Sequence, residues 1–264
     1  MCAQLDRPLL LVVDIGNTNT VYGLFRGEEL VADFRSETRR NRTSDEFYAL
    51  LAPLLERRGF ALSQVGNLVL STVVPPAVYP MTEFARDVIG SEPLIVDHRL
   101  NVGVKLLYHR PEEMGADRLV NAAYAYQHYG ASIIVDFGTA TTFDVINAAG
   151  EYLGGCITPG IRISMDALFA YAARLPRIEV ARPVNTIGRS TEEAMRSGVY
   201  YGYVAMVDGL VRRLAADLND KLTVIATGGL ATLIARDATT IDRVEPNLTL
   251  ESLRLIFYSQ RGDL

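Results

Sequence analysis

The stretch VVDIGNTNTVYGLF, Val12 to Phe25, sets an acid, a glycine and a run of small hydroxyl and amide side chains between two apolar, strand-like segments. A second stretch, IIVDFGTATTFDVI, Ile133 to Ile146, has the same design: Asp14 matches Asp136, Gly16 matches Gly138 and Thr20 matches Thr142. A strand that ends in Asp-x-Gly and turns into small residues exposes successive backbone N–H groups, a concavity suited to phosphate oxygens. Glycine keeps a side chain out of that approach. The Asp offers oxygen to a hard cation, and phosphate chemistry uses Mg²⁺ to neutralise developing charge. One such turn on its own is more often just a polar hairpin turn. Two of them, facing each other across an interdomain cleft, would hold the phosphate tail of one nucleotide from both sides, and ATGGL, Ala226 to Leu230, could admit the adenosine.

The surrounding pattern predicts an α/β chain. Alternation gives strands near residues 9–15, 19–26 and 29–36, with Gly27 turning the last two into a hairpin. TSDEFYALLAPLLERRGF opens with a Thr/Ser-x-x-Glu capping signal, closes at Gly59 and carries Phe47, Leu50, Leu51, Leu54 and Leu55 on one helical face, with Pro53 as a kink point. NLVLSTVV is a buried strand, PPAVYPMTEFARDVIG a helix opened by prolines, and PLIVD a short strand. From Gly115 the order returns: the helix ADRLVNAAYAYQHYG, the strand SIIVDFG, a strand pair across TTFDVINAAGEYLGG, and the helix PGIRISMDALFAYAAR. A long helix from about Thr191 to Asn219, a strand TVIATGG and a closing helix LTLESLRLIFYSQ follow. The expected architecture is two duplicated halves, 1–114 and 115–264, each a mixed sheet flanked by helices.

Composition removes several functions. With 264 residues and 49% hydrophobic content the chain can bury a sizeable core. Its apolar runs stop short of about 18 residues, and MCAQLDRP lacks the order of a secretory signal, so a cytoplasmic location without membrane attachment is expected. Cys2 and Cys156, outside any CxxC pattern, read as packed or surface thiols. A net charge of −5 argues against a nucleic-acid partner. RSETRRNR, Arg35 to Arg42, reads as a solvated strand end and loop, and His98, His109 and His128 have no metal-ligand spacing. The only lysines, Lys105 and Lys221, lie outside any GxxxxGK context, which excludes a P-loop NTPase.

The duplicated Asp-Gly loops resemble the superfamily of acetate kinase, sugar kinases, Hsc70 and actin, in which ribonuclease H-like, actin-like ATPase domains clamp ATP. The match narrows further. DIGNTNT, NVGVKLLY, GADRLVNA, DFGTATTFD, GGCITPGI, STEEAMRSG and ATGG occur in an order, and over nearly the full length, that resembles the type III pantothenate kinases. The resemblance implies ATP-dependent phosphorylation of the 4′-hydroxyl of pantothenate, the first step towards coenzyme A. It implies ATP with Mg²⁺ on Asp14, Ile15, Gly16, Asn17, Thr18 and Asn19, with Asp14 as the metal-side acid. Gly138, Thr139, Thr141 and Thr142 would meet phosphate, and Gly228 and Gly229 the adenosine. Asp136 would hold a monovalent cation, potassium or ammonium.

GADR would carry the chemistry. An Asp at a helix start is ordinarily a cap, but the resemblance makes Asp117 the general base that takes the hydroxyl proton. Gly115 and Ala116 would let substrate approach the backbone, and Arg118 would offer its planar fork to the pantothenate carboxylate. Tyr108 would line the pantothenate site. Thr191, on its own an apt helix N-cap, would by resemblance reach the site of a neighbouring subunit, making the protein a homodimer with a shared active site. A non-catalytic nucleotide-binding regulator, a transcriptional accessory factor on the same fold, is the other reading; the presence of Asp14, Asp117 and Asp136 together favours the enzyme.

Overall fold

The computed structural model describes residues 8–172, 175–218 and 221–262. Cys2 and Asn219 lie outside these residues. In chain order the elements are strands β1 (Leu9–Ile15), β2 (Asn19–Arg26) and β3 (Glu29–Glu37), helix α1 (Ser44–Glu56), strand β4 (Val65–Thr72), helix α2 (Val78–Phe84), and the short strands β5 (Leu94–Ile95) and β6 (Lys105–Leu106). Then come α3 (Ala116–Tyr129), β7 (Ser132–Phe137), β8 (Ala140–Ile146), β9 (Glu151–Pro159), α4 (Ile161–Tyr171), α5 (Thr191–Ala216), β10 (Thr223–Gly228), α6 (Ala231–Ile234), β11 (Arg243–Val244) and α7 (Leu248–Arg261). Local signals explain the boundaries. The Glu46 amide donates to Thr43 Oγ1 at 3.3 Å and the Thr43 amide to Glu46 Oε2 at 2.8 Å, the reciprocal cap predicted for α1. Phe47, Leu51 and Leu55 are its buried face, with Leu50 and Leu54 packed at the edge.

The chain forms two compact units. Unit 1 holds the described residues up to Val102, Arg110–Tyr124 and those from Thr249 on; unit 2 holds Gly103–His109 and the described residues of 125–248. Residue 115 is where the sequence pattern restarts, whereas compactness follows the sheets. Unit 1 is built on a five-stranded sheet in the order β3-β2-β1-β4-β5. β1 is antiparallel to β2 and parallel to β4. Leu9, Leu11, Val13 and Ile15 enter a core with α1 and α2, so the period of two sends Leu10, Val12 and Asp14 to the other face. Leu250 of α7 reaches Val12 there, where a Cβ on Gly23 would stand 2.9 Å from Val12 and 3.2 Å from Leu250. Thr249 Oγ1 donates to Asn121 Oδ1 at 2.7 Å and the Ser252 hydroxyl to the Val120 carbonyl, which fixes α7 against the first half of α3.

Unit 2 has a six-stranded sheet, β11-β10-β7-β8-β9-β6. Read as β9-β8-β7-β10-β11, it repeats the order and directions of the first sheet, two antiparallel pairings followed by two parallel ones. β6, a two-residue strand too short to show in the pattern, adds itself parallel to β9, where Lys105 pairs with Glu151 at 2.8 Å. The repeat is not residue for residue. In the first hairpin Ile15 opposes Thr20, across residues 16–19; in the second Phe137 opposes Thr141, across 138–140. The second turn is one residue shorter, so Thr20 corresponds to Thr141 and not, as linear matching suggests, to Thr142.

Arg42 also departs from expectation. It is buried, donating to the Tyr22 hydroxyl at 3.3 Å and the Ser36 hydroxyl at 3.2 Å, with its guanidinium 5.4 Å from the Phe47 ring centre. It belongs to the unit 1 core margin and not to a solvated run.

Unit 2 contains a buried acid that ties α5 to the loop before β11. Asp208 accepts from the Thr239 amide at 2.9 Å and hydroxyl at 2.6 Å, and from the Thr240 amide at 3.0 Å and hydroxyl at 2.8 Å. Burial pushes its pKa up, but these hydrogen bonds outweigh that and leave it below the ordinary Asp value. Asp208→Ala is therefore expected to cost about 2–4 kcal/mol in urea unfolding at pH 7. Because the native pKa is depressed, this contribution is complete above the unfolded value of about 4 and fades as pH falls through the native one. The difference between wild type and variant should narrow towards pH 3; equal urea midpoints at pH 7 would refute the assignment.

Candidate active site

In unit 1, β1 delivers Asp14 to the last outward position before its turn. The turn is closed internally. The Gly16 amide donates to the Asn19 carbonyl at 3.0 Å, and a Cβ on Gly16 would come within 3.1 Å of that oxygen. A side chain at 16 would crowd the turn's own carbonyl, and the Gly16 amide is engaged within the turn. The Thr38 hydroxyl donates to the Gly16 carbonyl at 2.8 Å and shares a hydrogen bond with the Thr20 hydroxyl at 2.9 Å, which leaves Asn17, Thr18 and Asn19 as the exposed rim. On the parallel neighbour, Ser71 lies beside Asp14 and Thr72 beside Ile15, and the Val73 amide donates to the Ile15 carbonyl at 3.1 Å.

That strand end meets the GADR turn. A Cβ on Gly115 would stand 2.4 Å from Asp117 Oδ1 and 3.3 Å from Val73 Cγ1. By alternation Ser71 and Val73 share the Asp14 face, since Leu68 and Leu70 enter the opposite core. Unit 1 thus brings Asp14, Gly16, Gly115, Ala116 and Asp117 onto one side of one sheet. Asp117 lies in the first turn of α3, where its Oδ1 accepts from the Arg118 amide at 2.8 Å. Burial pushes its carboxyl pKa above the ordinary Asp value, and the neighbouring Arg118 amide and charge do not fully offset it. Arg118 is itself buried.

In unit 2, Asp136 is the next-to-last residue of β7, opposite Thr142 on β8 and Thr227 on β10. Gly228 has φ 89° and its Cβ would fall 2.5 Å from Asp136 Oδ1; a Cβ on Gly138 would lie 3.7 Å from the same atom. A side chain at position 228 would collide with the carboxylate, whereas one at 138 would only touch it. Gly160 is a partner the sequence reading missed: its Cβ would meet the Thr139 carbonyl at 2.1 Å, so the TPG of β9 and α4 buttresses the Asp136 turn. Thr139 and Gly229 are exposed. Thr142, half-buried, shares the Asp136 face, while Thr141 is fully buried opposite Phe137. Tyr108 packs its ring 6.1 Å from that of Tyr152. Thr191 belongs to neither cluster. It is exposed at the first position of α5, and the cap expected there is Ser190, which accepts from the Glu193 amide at 3.2 Å.

A family profile described as type III pantothenate kinase matches residues 10–213. The chain belongs to the type III pantothenate kinase family. A type III pantothenate kinase from Syntrophotalea carbinolica is 46% identical over 255 residues, covering 96% of this chain and 100% of that one. Among solved structures, a conserved Baf family protein from Campylobacter jejuni superposes with a TM-score of 0.61 at 18% identity over 96% of this chain and 100% of that one. A ROK hexokinase from Thermus thermophilus does so with 0.51 at 15% over 97% and 100%. These likenesses place the fold among the actin-like ATPases and ROK-type sugar kinases. Among the described residues no helix is long and apolar enough to cross a membrane.

The acids of this family member fit a metal that arrives with its nucleotide. Among the described residues no three His, Cys, Asp or Glu side chains converge. Mg²⁺ needs no such cage, since it keeps waters and takes one or two carboxylates together with substrate phosphates. Asp14, beside the turn, would supply one.

The desolvated Asp117 has a consequence for stability. Its native pKa is raised, so its ionised form is a penalty that is complete above the native pKa and vanishes below the unfolded value of about 4. Asp117→Asn keeps the oxygen that accepts from Arg118 and is expected to raise the thermal midpoint at neutral pH, with the gain disappearing below about pH 4. A lower midpoint at pH 7 would show that the charge is stabilised in place.

Proposed function

We propose that this chain transfers the γ-phosphoryl group of ATP to the 4′-hydroxyl of pantothenate, giving 4′-phosphopantothenate and ADP, the first step towards coenzyme A. The observation that supports it most is the desolvated Asp117 at the start of α3, on the same sheet face as Asp14. A carboxylate with a raised pKa is a better proton acceptor near neutral pH. Asp117 takes the hydroxyl proton as the oxygen attacks the γ-phosphorus, and the bond to the bridging oxygen of ADP breaks. Phosphoryl transfer depends on positioning and charge compensation more than on covalent chemistry.

The remaining roles follow. Asp14 faces the metal and phosphates, with Ile15, Gly16, Asn17, Thr18 and Asn19 as the first loop; bound Mg²⁺ would offset the charge on the phosphate oxygens. Gly138, Thr139 and Thr142 form the second phosphate loop, with the buried Thr141 supporting it from the core side, and Gly228 and Gly229 take the adenosine. Asp136 holds potassium or ammonium. Arg118 receives the pantothenate carboxylate, Tyr108 lines its pocket, and Thr191, exposed at the start of α5, serves the site of a second copy in a homodimer.

A coupled ADP-release assay on pantothenate, with and without potassium and against a panel of sugars and acetate, tests this directly. Turnover is expected on pantothenate alone and to rise with potassium. Asp117→Asn should lower kcat by about 10²–10⁴-fold while ATP and pantothenate still bind. Unchanged turnover would remove Asp117 as base, and wild-type binding of ATP without any turnover would favour the regulator. Full activity in a monomer on gel filtration would remove the shared site.

A further inference from the structure

β9 is irregular at one place. Its pairing with β8 runs from Pro159 opposite Ala140 to Gly154 opposite Val145, then passes over Leu153 and sets Tyr152 opposite Ile146. Gly154, at φ 109°, absorbs the bulge. Skipping one residue decides which way Tyr152 points, because in a regular ladder it would lie on the other face. It is instead fully buried on the face of Asp144, and its hydroxyl donates to Asp144 Oδ1 at 2.6 Å. Asp144, also fully buried, accepts at Oδ2 from the Thr142 hydroxyl at 3.2 Å, and Thr142 is the cross-strand partner of Asp136. At the other end the Tyr152 ring meets that of Tyr108, which lies over Gly154 with Cε2 3.7 Å from where a Cβ would stand. Neither Asp144 nor Gly154 has a part in the transfer described above, although a buried carboxylate is costly to keep.

We propose that Asp144 and Tyr152 are positioning residues: the buried carboxylate fixes the Tyr152 hydroxyl, Tyr152 fixes the ring of Tyr108, and the same carboxylate holds Thr142 beside Asp136. The Gly154 bulge makes this possible by turning Tyr152 inward. This rests on Tyr108 lining the pantothenate site. A short hydrogen bond in a low-dielectric interior restricts an aromatic ring more than packing alone.

Tyr152→Phe keeps the ring and removes the hydroxyl. The pantothenate KM is expected to rise about tenfold, with the MgATP KM within about twofold. In protein labelled with 3-fluorotyrosine, the Tyr108 resonance, assigned through Tyr108→Phe, should shift or broaden. An unchanged pantothenate KM overturns the inference, and so does a parallel rise in both KM values with a lower thermal midpoint, which a merely structural role would give. If wild type does not turn over pantothenate, the functional reading fails on its own, and the resonance alone decides: a moved signal upholds the positioning of Tyr108, an unmoved one overturns it. Should Tyr152→Phe leave Asp144 too poorly held for folding, Tyr152→Phe combined with Asp144→Asn removes the stranded charge and is judged by the same criteria.

Discussion

The site depends on the period of two in a central strand. In β1 and again in β7, the residues at alternate positions enter a core that helices cover, which obliges the intervening ones to face the other way. An acid at the last such position, Asp14 or Asp136, is thereby carried to the edge of the sheet without entering a core that could not solvate it. A one-residue slip of either strand would bury the acid and expose a valine or phenylalanine. The hydrophobic core therefore fixes where the acids stand, and the turn chemistry only has to leave them room. Gly16 leaves room for the turn's own carbonyl, and Gly228 leaves room at Asp136.

Much of this was legible because it is local. The reciprocal cap at Thr43 and Glu46, the alternation of LLLVVDI and the repeated Asp-x-Gly each announce themselves within a few residues. What could not be read is what depends on pairing across the sheet. The shorter second turn sets Thr141, not Thr142, opposite Phe137 and so brings Thr142 opposite Asp136, and linear matching has no access to register. Arg42 looked solvated in a basic run because nothing in that run reveals that Tyr22, Ser36 and Phe47 converge on it. The cap assigned to Thr191 slid to Ser190 for a simpler reason: two adjacent hydroxyl residues satisfy the same rule, and only the backbone chooses.

The glycines show the same division. Gly115 is visible in GADR, but its necessity comes from Val73, far away in sequence, and from the Asp117 carboxylate two residues on. Gly160 and Gly154 lie inside the GGCITPGI motif with no task visible there; each has one only after β9 is laid beside β8 and the Asp136 turn. A glycine demanded by positive φ and one demanded by a close neighbour look alike in a sequence.

The two units also illustrate how a duplicated frame can take on different work. Order and direction are kept for five strands in each sheet, since these set the alternation on which the acids rely. The bulge in the third strand is kept in both copies, and differences gather where the frame tolerates them: a turn one residue shorter and an extra edge strand beside β9. In unit 1 the face opposite α1 and α2 is closed by α7 and the start of α3, which brings a desolvated carboxylate beside the turn. In unit 2 the corresponding face carries Asp144 and Tyr152, so its buried polar groups satisfy one another. One copy keeps a desolvated acid at the start of a helix, while the other buries an acid that accepts hydrogen bonds from a tyrosine and a threonine hydroxyl.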